Sequence, residues 1–126
     1  MVERTRLAPD LSISRVLTGL WQVADMERDG RPLDLDAMAH AMEPYAAAGL
    51  TTFDMADHYG SAEDVVGRYV TSHGPAGVEL LTKWVPEPGT VTRAQVREAV
   101  QRSLDRMRLD RLPLLQFHAW QYAHPA

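Results

Sequence analysis

Residues 50–83 read LTTFDMADHYGSAEDVVGRYVTSHGPAGVELLTK. Two short apolar runs, residues 50–54 and 78–83, flank a helical pattern in which Val65, Val66, Tyr69 and Val70 share one face. Ser61 with Asp64 three residues later marks the helix start, and His73-Gly74-Pro75 marks its end. Strand, helix and strand in this order make a βαβ unit, whose two strands run parallel.

The same alternation extends in both directions. Upstream, residues 11–21, LSISRVLTGLW, predict a short hairpin and then a first strand over 15–21. Residues 22–34 carry Asp29-Gly30 and Pro32 and read as a loop. A helix follows, capped by Asp34 or Asp36, with Leu35, Met38, Ala39, Met42, Tyr45 and Ala46 at helical spacing and Gly49 closing it. Pro44 lies inside that pattern and predicts a kink or a break. Downstream, Thr92 and Gln95 form a capping box, and Val96, Ala99, Val100, Ser103, Leu104 and Met107 make one stripe. Residues 112–118, LPLLQFH, are a further strand, with Pro113 tolerable only near its start. The order is β-α-β-α-β-α-β with near-continuous apolar strands, so the fold class is α/β with a parallel sheet covered by helices.

Composition narrows the function classes. The chain has 126 residues, 13 Lys and Arg against 17 Asp and Glu, and a formal charge of −4. That length suits one domain, residues 1–126. The 45% hydrophobic content is enough to offset ordering entropy, which argues against disorder. The acidic balance argues against nucleic acid or an anionic membrane as partner. With no cysteine there is no disulfide, thiolate nucleophile or iron–sulfur cluster. Nothing near the start reads as a secretory signal, and no apolar run approaches the length of a membrane span, so a cytoplasmic location is expected.

Parallel α/β folds place chemistry at the carboxyl ends of their strands. Here those ends carry Leu20-Trp21, then Asp54 with His58 and Tyr59, then Lys83-Trp84, then His118 and Trp120. Taken singly, each has an ordinary structural role: Asp54 a cap, Tyr59 a half-buried loop aromatic, Lys83 a solvated strand end, His118 a satisfied core histidine. Jointly they converge on one edge with complementary chemistry. A free phenol, with a pKa of about 10, is a weak acid at neutral pH. A neighbouring ammonium favours its phenolate, a carboxylate holds the ammonium, and an imidazole can orient a carbonyl oxygen. Such a group donates a proton to a developing alkoxide, as carbonyl reduction requires, and the hydride must come from a cofactor.

At these residues the chain resembles the aldo-keto reductases. FDMADHYGSAE (53–63) is similar to their Asp-Thr-Ala-x-x-Tyr-Gly signature, LLTKWVP to their third strand, LDRLPLLQFHAWQY to their fourth, and LSISRVLTGLWQVA to their N-terminal hairpin and first strand. The resemblance implies the N-terminal half of a (β/α)8 TIM barrel, with about four parallel strands, three helices and an N-terminal hairpin, because the whole barrel takes roughly twice this length. It implies Tyr59 as general acid, Lys83 as its activator, Asp54 as partner of Lys83, and His118 as orienter of the substrate carbonyl. Leu20, Trp21 and Asp54 would lie by the nicotinamide, while Trp84, His118 and Trp120 would face substrate; rim packing is as good a reading for the two tryptophans. NADPH is the implied cofactor and a small carbonyl compound the implied substrate. Met55 stands where the signature has Thr, Leu-Thr-Gly-Leu-Trp where the family shows Gly-x-Gly-Thr-Trp, and Pro113 where it shows a non-proline. The family's later strands, which hold the rest of the cofactor, have no counterpart here, so a complementing chain or homo-oligomer is expected to complete an active enzyme. The alternative is a truncated non-catalytic remnant or partner-binding half barrel. A metal-dependent hydrolase using Asp54, His58, His118 and His124 is a distant third: there is no His-x-His or Glu-x-x-His pair, and Lys83 would repel a metal.

Overall fold

A computed structural model describes residues 1–24 and 31–119. It contains an antiparallel hairpin, β1 (Arg4–Ala8) and β2 (Leu11–Ser14), followed by β3 (Thr18–Gly19). Next come α1 (Leu35–His40), α2 (Glu43–Ala47), β4 (Thr52–Asp54), α3 (Ala62–His73), β5 (Glu79–Trp84), α4 (Arg93–Met107) and β6 (Leu115–Phe117). Strands β3, β4, β5 and β6 form one parallel sheet in chain order. This is the arrangement of the first half of a (β/α)8 barrel.

The differences from the sequence expectations have local causes. The hairpin begins earlier than residue 11, because β1 is the polar, exposed segment RTRLA, which carries no strand-like apolar pattern. The first parallel strand is two residues long rather than 15–21. The first expected helix is two segments, α1 and α2, with Pro44 in the first turn of the second, where its missing N–H costs nothing. Ser61 occupies the N-cap position of α3 but makes no side-chain cap bond to it. The last strand starts at Leu115, clear of Pro113. The Thr92–Gln95 capping box forms as expected.

The core lies between sheet and helices. Phe53, Met55, Leu80, Val65, Val66, Tyr69 and Met107 are buried together with Leu20 and Met42. Phe53 and Leu80 lie side by side in the β4–β5 register and face this core. Burial, with Glu43 adding to it, pushes the Tyr69 phenol above the ordinary tyrosine range.

Polar contacts dock the hairpin at the other end of the strands. The Glu79 carboxylate accepts from Arg4 (2.6 Å), Thr51 Oγ1 (2.8 Å) and Thr52 Oγ1 (2.7 Å). Ser14 N donates to Thr52 Oγ1 (2.8 Å). Arg111 pairs with Asp10 and holds its carboxyl below the usual carboxylate range.

One helix contact has no room to spare. A Cβ on Gly67 would stand 2.1 Å from the carbonyl oxygen of Arg106, so α4 approaches α3 backbone to backbone there. Gly67→Ala should therefore lower the unfolding free energy by about 1–3 kcal/mol through overpacking. Urea denaturation checks this; a loss below about 0.5 kcal/mol would mean that the helices separate without cost.

Candidate active site

The carboxyl ends of β4, β5 and β6 build the site. Pairing continues past each strand: Met55 N donates to Leu81 O (2.9 Å), Asp57 N to Lys83 O (3.0 Å) and His118 N to Trp84 O (2.8 Å). These bonds carry the ladder into the loops, so the loop residues inherit the order of the sheet.

Lys83 is the chain's only lysine; its other cations are arginines. Its Nζ donates to Asp54 Oδ2 at 2.6 Å and to the Met55 carbonyl at 2.9 Å. It also stands 4.9 Å from the centre of the Tyr59 ring. The side chains of Lys83 and Asp54 are 14% and 25% exposed, so solvent screens the pair only in part. Gln116 Nε2 reaches the other Asp54 oxygen at 3.4 Å.

Tyr59 sits in the β4–α3 loop, in a turn closed by its own N–H to Ala56 O (3.2 Å). Gly60 follows with φ +45°. Trp21 meets the Tyr59 ring edge-on, with centroids 4.8 Å apart and planes at 83°. His58 packs against Tyr59 (4.9 Å) and against His118 (5.3 Å), and its Nδ1 lies 3.1 Å from Asp57 Oδ1.

Asp54, Tyr59, Lys83 and His118 thus gather at one edge, with Trp21 beside them and His58 linking Tyr59 to His118. The Leu20 side chain is buried in the core, and its N–H donates to Asp54 O at 2.9 Å, so Leu20 offers the site little beyond backbone. Trp84 is buried, packs on Phe117 with centroids 5.4 Å apart, and alternates to the face of β5 opposite Lys83. There it lines a cavity of about 140 Å³ with Gln95, Glu98 and Arg102 of α4, a packing position rather than one facing the Lys83 cluster. Trp120 and His124 lie outside the described residues. Among the described residues, no three His, Asp or Glu side chains are arranged to hold a metal ion, and no helix is long and apolar enough to cross a membrane.

The sequence places His58 at the strand-end edge and offers it only as a metal ligand, because its contact with Tyr59 and His118 at once leaves no spacing signal. Sequence reasoning misses two further contributors. Gln116 lies within a strand pattern, and alternation puts it on the face of Lys83, its register partner. Glu63 is 1% exposed and accepts from Thr82 Oγ1 at 2.7 Å. Its signal was a charge on the apolar face of α3.

A model of the aldo/keto reductase family matches residues 15–126. The chain belongs to the aldo/keto reductase family. It is 29% identical to the chloroplastic pyridoxal reductase of Arabidopsis thaliana over 96% of this chain and 36% of that one. It is 30% identical to the 6-dehydroglucose reductase of Agrobacterium fabrum over 93% of this chain and 43% of that one. A Klebsiella pneumoniae aldo-keto reductase solved with NADPH superposes with a TM-score of 0.75 at 23% identity, over 99% of this chain and 42% of that one. The holo form of a Bacillus halodurans aldo-keto reductase superposes with a TM-score of 0.71 at 22% identity, over 99% and 41%. The chain therefore spans less than half the length of these relatives.

The Asp54–Lys83 contact is open to direct measurement. A double-mutant cycle with Asp54→Asn and Lys83→Met should give a coupling energy of about 1–2 kcal/mol in thermal or urea unfolding. Additivity within about 0.5 kcal/mol would show that the pair contributes nothing to the fold.

Proposed function

We propose that this chain carries the proton-handling half of an NADPH-dependent reductase of aldehydes or ketones. The observation that supports this most is the double engagement of Lys83: bound to Asp54 at 2.6 Å, it stands 4.9 Å from the centre of the Tyr59 ring. An ammonium held by a carboxylate is a fixed positive charge beside the phenol ring, placed to offset the negative charge that a proton transfer leaves there.

In this reading Tyr59 is the general acid and its Oη gives the proton to the carbonyl oxygen as negative charge develops there. Lys83 assists that transfer and Asp54 fixes Lys83. His118 orients the carbonyl, and His58 keeps the His118 and Tyr59 rings apart and aligned. Trp21, packed at right angles to the Tyr59 ring, limits how far that ring can turn. The nicotinamide cofactor supplies the hydride when bound. The backbone at Leu20 and Trp21, together with Asp54, is the part of this chain that fits beside the nicotinamide ring. The neutral Trp21 indole and the half-buried Asp54 offer nothing to bind a diphosphate, so these residues fit only that end of the cofactor.

Further strands, from a continuing or complementing chain or a second copy, are proposed to complete the enclosure. Phe117 on β6 is 66% exposed on the face that Trp84 shares, which supports a surface that is covered in the working protein. A reducing, cytoplasmic setting goes with the absence of cysteine.

The test is NADPH-dependent reduction of a generic aldehyde, run beside size-exclusion chromatography. Tyr59→Phe should lower kcat by about 10²–10⁴-fold with cofactor affinity nearly unchanged. Full activity in that variant would remove Tyr59 from the reaction. The 126-residue chain alone should bind NADPH more weakly than micromolar; titration giving a micromolar Kd would show that the cofactor needs no further strands.

A further inference from the structure

One buried charge has no part in the reaction just described. Glu63 stands in the first turn of α3, almost wholly buried, and its two carboxylate oxygens point to different elements. Oε1 accepts from Thr82 on the helix-facing side of β5. Oε2 lies 3.3 Å from Arg106 Nη1. The same Nη1 donates to the carbonyl oxygen of Asp57 at 3.2 Å. Arg106 therefore joins a buried carboxylate to the backbone of the loop that carries His58 and Tyr59.

The reach of Arg106 is set by backbone contact. Glu63, Gly67 and Thr71 repeat at four-residue intervals along α3 and form one row. Each meets the end of α4: Glu63 takes the Arg106 guanidinium, Gly67 the Arg106 carbonyl, and Thr71 the guanidinium of Arg108. Arg108 ends α4 in the left-handed region at φ 56°. Gly67 lets the last turn of α4 close onto α3, and that closeness brings the Arg106 side chain to both Glu63 and Asp57.

We infer that Arg106 is a positioning residue: by tying buried Glu63 to the Asp57 carbonyl, it fixes the loop that presents Tyr59 to Lys83. Other bonds hold the same loop: Asp57 N to Lys83 O, Tyr59 N to Ala56 O, Ala62 N to Tyr59 O and Lys83 Nζ to Met55 O. Arg106 adds a hold on the Asp57 carbonyl, which ties the middle of the loop to α4. Without it Glu63 keeps its bond to Thr82 but lacks a counter-charge in a buried place, and the Asp57 carbonyl loses its Arg106 donor.

Hydrogen exchange on the full chain, read by mass spectrometry, tests this without requiring activity. Arg106→Gln should speed exchange in residues 55–61 at least tenfold relative to wild type, while the interior amides of α3 and α4 keep their protection. Arg108→Gln removes the neighbouring guanidinium, which bonds Thr71 and not the loop, and should leave residues 55–61 unchanged. Arg106→Lys should restore part of the protection. If Arg106→Gln does not fold, Glu63→Asp keeps the charge, shortens its reach and carries the same expectation. Equal exchange in the Arg106→Gln and Arg108→Gln loops would overturn the inference, as would a uniform rise across the whole chain. The catalytic consequence rests on the reductase reading above: in that assay Arg106→Gln should lower kcat about tenfold or more with KM for the aldehyde within twofold. A wild-type protein without reductase activity even when the completing strands are supplied would defeat that reading alone, and the exchange result would still decide the role of Arg106.

Discussion

A carboxylate and an ammonium, Asp54 and Lys83, meet at 2.6 Å across two neighbouring parallel strands. Their meeting depends on register. Asp54 pairs with Leu81, so Lys83 stands two residues further along the same face of β5 and its long side chain reaches back. A one-residue slip would send Lys83 into the helix-facing core beside Leu80 and Thr82. The same register puts Phe53 and Leu80 on the buried side. One alignment thus serves both faces of the sheet: hydrophobic burial outside and ion pairing inside.

The face toward the helices is not purely apolar, and its exceptions are informative. Thr82 and Glu63 meet between strand and helix, where a hydroxyl and a carboxylate satisfy each other in a place closed to water. Gly67 removes a side chain where Arg106 needs to come close. A polar contact and a missing side chain, one helical turn apart, set the distance between α3 and α4. That distance matters at the strand ends because Arg106 touches the loop carrying Tyr59.

Much of this could be read from the residues. The apolar runs around residues 52 and 80 and the helical stripe at Val65, Val66 and Tyr69 located the parallel sheet and its cover, because their patterns follow burial. The capping box at Thr92 and the break before Pro44 were visible because each is local chemistry. The gathering of Asp54, Tyr59, Lys83 and His118 followed from strand-end position alone. The rest depended on three-dimensional contact. Strand β1 is exposed on nearly all its residues, so no hydrophobic pattern announces it. His58 gains its place by touching two other rings, and Arg106 by reaching a carbonyl 49 residues away. Trp84 looked as suited to a pocket as to packing; only its alternation relative to Lys83 settles which face it takes.

The hairpin has a kinetic consequence. Arg4 reaches Glu79 and Asp10 reaches Arg111, contacts separated by 75 and 101 positions along the chain. The helix–strand contacts around β4, α3 and β5 span far shorter distances. Closing a long loop costs entropy before any contact rewards it, so local units assemble early and distant ones late. On a ribosome, β1 and β2 emerge before β5 and α4, yet they need Glu79 and Arg111, which are made later. An early-synthesised segment is thus among the last to find its native neighbours.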